Sequence, residues 1–219
     1  LTIGTGRDFG RTFDLPEEVD AQIERLAVSE IRPIDLGRLT FIGHDGRECT
    51  RYFDNSPDFG LSGAVDQAVN RLKLSKGLGG KFAFRLGLVK ALLRHRCYDV
   101  RIQVDDAFDE TLRVTTAAIC NGRYFGGSMH VAPHAQPDDG IFEIVVLRDA
   151  GRVEVLWNSG LIYHGQHLEH PKVETLRGRK VTAEPLDDRR PVLLDVDGEA
   201  PGRLPATFEI VPSAISLRC

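Results

Sequence analysis

Residues 98–120 read YDVRIQVDDAFDETLRVTTAAIC, and this stretch decides the fold class. It holds two strand-like runs, 98–104 and 111–120, joined by an acidic turn at Asp105-Asp106. Downstream, further strands are expected at 128–132, 141–148, 179–184, 191–196 and 206–211, with one helix over 152–163 carrying the lone Trp157. Upstream, Arg38-Leu39-Thr40-Phe41-Ile42 and Thr50-Arg51-Tyr52-Phe53 flank the turn His44-Asp45-Gly46-Arg47, which is a hairpin signal. Residues 62–74 and 79–96 read as helices, and EEVDAQIERLAV (17–28) has helical spacing at Val19, Ile23, Leu26 and Ala27. No βαβ alternation follows residue 97, so a doubly wound parallel sheet is rejected. The expected fold is mainly β (α+β): a two-layer antiparallel β-sandwich with peripheral helices.

The composition of the 219 residues suits one large domain, or one domain plus a fragment. Apolar residues make up 42%, enough for a sizeable core, and the net charge of -4 argues against a whole-chain nucleic-acid binder. No apolar run reaches the roughly 18 residues that span a bilayer, and no signal peptide is visible. Cys49, Cys97, Cys120 and Cys219 are too scattered for a disulfide framework or a zinc site, which favours reduced thiols in a cytoplasmic protein. The chain begins at Leu1 and runs straight into a glycine turn, so it reads as an excised piece.

Three stretches can carry chemistry. Gly4-Thr5-Gly6-Arg7-Asp8-Phe9 lets the backbone approach a phosphate closely, with a threonine hydroxyl for an oxyanion and an acid beside it, although a plain turn explains it equally. Asn121-Gly122-Arg123-Tyr124-Phe125-Gly126-Gly127 implies a tight backbone path. It is followed by Pro133 to Ile141, where Asp139 and nearby carbonyls make either an oxygen site for a hard cation or an ordinary Asp-Gly turn. Asp195-Val196-Asp197-Gly198-Glu199 puts acids on both sides of a glycine at the end of an apolar strand. Such a pair supplies a general base or a metal ligand, or is simply an acidic hairpin turn.

Their joint occurrence is more specific than any one of them. A G-T-G-x-D-F turn, Ile34-Asp35-Leu36-Gly37, N-G-x-x-x-G-G, P-x-A-x-x-D-D-G and a late V-D-G-E follow in that order over nearly the whole chain. This order resembles the diacylglycerol kinase catalytic family, which includes bacterial lipid kinases and is related to sphingosine kinases. The resemblance implies an N-terminal nucleotide-binding domain with a G-G-D-G-T phosphate loop, absent from these residues, and a C-terminal β-sandwich. Residues 1–32 would be a remnant of the ATP-binding domain, rejoined by 211–219, and 33–210 the sandwich. By the same resemblance, Gly4, Thr5 and Gly6 would meet ATP. Asp8, Asp35 and Asp197 would form the acidic group, with Glu199 as proton acceptor for a lipid hydroxyl. Mg²⁺ would be held by the Asp139 carboxylate and the carbonyls of Gln136 and Ile141. Many relatives have asparagine where this chain has Arg7, which leaves open whether a cation there pairs with a phosphate or with Asp8.

The implied function is ATP-dependent transfer of a γ-phosphoryl group to a diacylglycerol-like lipid alcohol, as part of phospholipid metabolism, with this fragment inactive alone. The runner-up is a noncatalytic lipid-binding or regulatory module of the same fold. A Rossmann dehydrogenase fails for want of a βαβ unit. The segment from Arg71 to Arg101 holds many cations among Phe82, Phe84, Leu86, Leu88, Leu92 and Leu93, a composition that suits peripheral contact with the inner face of a membrane or a solvated cover on the sandwich. His164, His167 and His170 are interrupted by Pro171 and read as a solvated segment. A homodimer is compatible with the sequence.

Overall fold

A computed structural model describes residues 7–61, 92, 97–158 and 160–219. The helices expected over 62–74 and 79–96, the Gly4-Thr5-Gly6 turn and the packing of Trp157 lie outside the described residues. In the described part, two short helices, α1 (Asp8–Thr12) and α2 (Val19–Val28), precede a run of strands. The strands are β1 (Ile31–Gly43), β2 (Glu48–Phe53), β3 (Asp58–Gly60), β4 (Tyr98–Val104), β5 (Phe108–Cys120), β6 (Phe142–Arg148), β7 (Val173–Gly178), β8 (Lys180–Pro185), β9 (Leu194–Asp195) and β10 (Gly202–Arg218). Between β6 and β7 lie α3 (Arg152–Asn158) and two 3₁₀ turns, Leu161–His164 and Gln166–Glu169. No helix among the described residues is long and apolar enough to cross a membrane.

The strands form one antiparallel sheet in the order β2-β1-β10-β8-β4-β5-β3-β9, with β6 added to β5 and β7 added to β6. The sheet curls so that residues from most of its strands meet in one core. Leu39, Phe41, Val100, Ile102, Leu112, Ile144, Val181, Leu194 and Phe208 are among them. In β4 every second residue from Val100 is buried, a period of two that drives one face into this core. Phe53 and Phe142 stack inside it, ring centroids 5.7 Å apart. Gly37 is where it is because a Cβ there would run into the Phe53 ring.

β5 carries the curl. It pairs with β4 along its first half, then with β3 on one edge and β6 on the other. Between Val114 and Thr116 the register against β6 slips by one residue, a β-bulge that makes Thr115 the extra residue. Thr115 is buried, and its Oγ1 accepts a hydrogen bond from the Ala150 amide at 2.8 Å. The slip exchanges the faces: Leu112 and Val114 point into the main core, and beyond the bulge Ala117 and Ile119 do so. Ala118 and Cys120 then join Val131, Ala132, Ala135 and Val145 in a second cluster on the other side. Burial pushes the Cys120 thiol up to about 12, so it is an inert core thiol.

The antiparallel, mainly β architecture is as expected, with three corrections in detail. Residues 128–132 are not a strand. Gly126, Gly127 and Ser128 all have positive φ, and only an isolated bridge, Phe125 to Met129, forms. The helix expected over 152–163 ends at Asn158 and gives way to 3₁₀ turns, the break between those turns being Gly165 at φ 71°. Strands β3 and β7 were not foreseen, because DFG and VETLRG are too short and too mixed to stand out by pattern.

Candidate active site

The V-D-G-E segment is a tight reverse turn. Val196 N donates to Glu199 O at 2.9 Å and Glu199 N donates back to Val196 O at 3.1 Å. Asp197 and Gly198 sit at φ 55° and 76°, the type I′ geometry for which Asp-Gly is preferred. Asp195 Oδ1 accepts the Gly198 amide at 2.9 Å and stiffens the base of the turn. The Glu199 side chain is 66% exposed, and its Oε2 meets Arg51 Nη1 of β2 at 2.9 Å.

A further acid joins this turn. Burial, and then the negative charge of Glu199, push the Asp197 carboxyl above its ordinary value, while Arg51 pulls it back. Asp54, just beyond β2, is pushed up by burial and then by Asp197. Three carboxylates and one guanidinium therefore share one electrostatic neighbourhood at the rim of the sheet. Neither Asp54 nor Arg51 stood out in the sequence. Arg51 reads as one more polar residue on a strand, and its contact with Glu199 spans 148 residues.

The N-G-x-x-x-G-G loop fastens this acidic rim to the start of the chain. The fully buried Asn121 donates through Nδ2 to the carbonyls of Asp54 at 2.8 Å and Asp35 at 3.1 Å. The amides of Asn121 and Gly122 both donate to Asn55 O, and a Cβ at position 122 would collide with the Asn55 side chain. At the far end of the loop, Gly127 N and Ser128 N donate to the two oxygens of Asp8 at 2.8 and 2.7 Å, and Arg11 Nη1 lies 3.3 Å from the same carboxylate. Arg7 does not pair with Asp8; its guanidinium donates to the carbonyls of Pro16 and Glu17.

Asp35 has a different setting. It is 1% exposed, and its carboxylate accepts the Gly140 amide on one oxygen and the Ser213 amide on the other, each at 2.7 Å. Its own amide donates to Pro137 O. It thereby ties β1 to the D-D-G turn and to the bend of β10 at Ser213. Asp139 lies in that D-D-G turn, with Oδ1 accepting Ile141 N at 3.0 Å and Oδ2 paired with Arg177 at 2.6 Å. Its amide points to Gln136 O at 3.5 Å. One carboxylate and the carbonyls of Gln136 and Ile141 are hard oxygen donors on one short turn, which suits Mg²⁺ in donor type. A cation there would compete with Arg177 for the carboxylate. Among the described residues no group of three or more His, Cys, Asp or Glu side chains is placed to hold a metal. His167 instead contacts Val131 O at 2.9 Å, and His170 lies 3.6 Å from Glu154, so these two histidines do not converge on a common centre.

A curled antiparallel sheet whose carboxylates cluster at a tight turn on its rim is a β-sandwich-like domain. Residues 56–219 match the family model described as the YegS C-terminal NAD kinase beta sandwich-like domain, and the chain belongs to that family. It is similar to the diacylglycerol kinase of Staphylococcus saprophyticus subsp. saprophyticus, 27% identical over 210 residues that are 95% of this chain and 63% of that protein. The diacylglycerol kinase of Mycobacterium tuberculosis is 26% identical over 218 residues, 99% of this chain and 67% of that protein. A crystal structure of a diacylglycerol kinase from Bacillus anthracis str. Sterne shares the fold, with a TM-score of 0.64 at 16% identity over 97% of this chain and 63% of that one. The chain thus spans about 63% of the length of the first of these relatives. The resemblance read from the ordered motifs is borne out at the level of the family.

Proposed function

We propose that this chain is the C-terminal, substrate-side domain of an ATP-dependent lipid kinase that phosphorylates the hydroxyl of a diacylglycerol-like lipid. The observation that carries the reading is Glu199 on its rigid turn, paired with Arg51 beside Asp54 and Asp197. Lipid binding alone needs no such group of acids, which sets aside a noncatalytic module. Bound nucleotide with Mg²⁺ would supply the phosphoryl group and neutralise its charge. Glu199 takes the proton of the lipid hydroxyl as the phosphoryl group arrives, and Asp197 holds that hydroxyl and the local charge in place. Asp8 fixes the glycine loop, Asp35 fixes the junction strand, and by the family resemblance Gly4, Thr5 and Gly6 would meet the ATP phosphates.

Residues 1–32 and 211–219 belong with the nucleotide-binding part. Residues 31–34 of β1 pair with 215–218 of β10, and Arg218 reaches back to Leu26 O at 3.1 Å. Val19, Ile23, Val28, Ile31 and Ile215 leave apolar surface exposed there, suited to packing against that part of the protein. Since these residues contain no G-G-D-G-T phosphate loop, the chain alone is not a competent kinase. The site works on a lipid presented at the inner face of the membrane.

The test is transfer of labelled γ-phosphate from ATP by the full-length protein to a panel of diacylglycerol, sphingoid base and phosphatidylglycerol. Phosphorylated diacylglycerol is the expected product, and lipid binding without transfer would favour the noncatalytic module. The metal reading is checked separately. Crystals soaked in Mn²⁺ should give an anomalous peak between Asp139 and the carbonyls of Gln136 and Ile141, with Arg177 displaced. The absence of a peak at saturating Mn²⁺ would remove the site.

A further inference from the structure

We infer that Arg51 is the positioning residue of the proposed base: it holds Glu199 by Oε2 and leaves Oε1 to accept the substrate proton. This deepens the lipid-kinase reading and rests on it. The reciprocal backbone bonds of the Val196–Glu199 turn fix where the Glu199 Cα sits, but they do not hold its carboxylate. A glutamate 66% exposed would otherwise spread over its rotamers, and a proton acceptor so spread spends little time in line with its substrate. Arg51 supplies the missing constraint. Its Cα is set by pairing with Leu39 on β1, and its Nη1 lies 2.9 Å from Glu199 Oε2.

The charges at the rim point the same way. Asp54 is pushed up by burial and then by Asp197, Asp197 by burial and then by the charge of Glu199, and Asp195 lies at the base of the turn. Asp58 is opposite Asp195 across β3 and β9. His44 contacts Ala200 O at 2.7 Å from the neighbouring hairpin. Among the described residues, Arg51 is the permanent cation paired with Glu199, and it pulls the Asp197 carboxyl down. An ion pair this exposed adds little to folding, so its effect should be read in turnover rather than in stability.

The experiment compares Arg51→Gln, Arg51→Lys, Glu199→Gln and the Arg51→Gln/Glu199→Gln double variant in the full-length protein. Arg51→Gln should lower kcat about 10-fold with KM for ATP nearly unchanged, and Arg51→Lys should recover part of the loss. The double variant should be no slower than Glu199→Gln, since Arg51 acts through Glu199. Melting temperatures should agree within about 3 °C. Unchanged turnover in Arg51→Gln beside an impaired Glu199→Gln overturns the inference but leaves the base in place. Fully additive losses overturn it too, and normal turnover in Glu199→Gln removes both. A second measurement is independent of turnover. In protein carrying carbon-13 aspartate, the Asp197 carboxyl should titrate at higher pH in Arg51→Gln than in the wild type. An unchanged titration places Arg51 away from the turn and overturns the inference even where no lipid is phosphorylated.

Discussion

Replacing Glu199 by Gln in the full-length protein is expected to lower kcat by roughly 10²-fold or more while ATP binding stays nearly unchanged. The substitution keeps the shape and the hydrogen-bonding length of the side chain and removes the proton acceptor. A lipid hydroxyl is a poor nucleophile until a carboxylate takes its proton. The Val196–Glu199 turn depends on backbone bonds and on positive φ at Asp197 and Gly198, none of which the substitution touches. Stability should therefore hold, and the loss should appear in steady-state kinetics with extra Mg²⁺ giving no rescue. Turnover near the wild-type rate would move the base to another residue.

The second large effect is structural and concerns Asp35. Asp35→Ala leaves the Gly140 and Ser213 amides facing a buried site without their acceptor. Hydrogen bonds to an ionised acceptor and the penalty for orphaned buried donors together suggest a loss of about 4 kcal/mol. For a chain of this length that is a fall in melting temperature of about 8–16 °C. Asp35→Asn should fall between, since the amide keeps one acceptor and opposes the second backbone N–H with its own NH₂. Thermal denaturation of the three proteins checks this. A melting temperature within about 2 °C of the wild type in Asp35→Ala would mean that the carboxylate is not committed to those amides and is free for direct chemistry.

How far these residues could be read from the chain alone differs from case to case. YDVRIQV behaved as a strand because its alternation is local and complete, with Val100, Ile102 and Val104 all buried. The hairpin at His44 to Arg47 formed because Gly46 accepts φ 79° and Asp45 Oδ1 caps the Arg47 amide at 3.0 Å, both short-range effects. The V-D-G-E turn was legible for the same reason. The Thr115 bulge was not, because nothing in TLRVTTAAIC announces an unpaired residue until β6 sets the register. The segment at 128–132 was misread because Met129 and Val131 mimic a strand, whereas positive φ at Gly126, Gly127 and Ser128 and the grip of Asp8 hold it as a loop.

By itself the sequence determined the antiparallel β class, the turn at Asp197-Gly198 and the family, since each depends on residue type at short or fixed spacing. Only the tertiary structure decided which polar groups are available for chemistry. Asp35 and Glu199 are both acids beside glycine-rich or apolar runs, yet one carboxylate is buried on two amides and the other is two-thirds exposed against Arg51. That difference comes from strand register and from contacts across more than a hundred residues. Hydrogen-bond capacity is spent on whichever partner the fold brings near, and local sequence does not say which partner that will be.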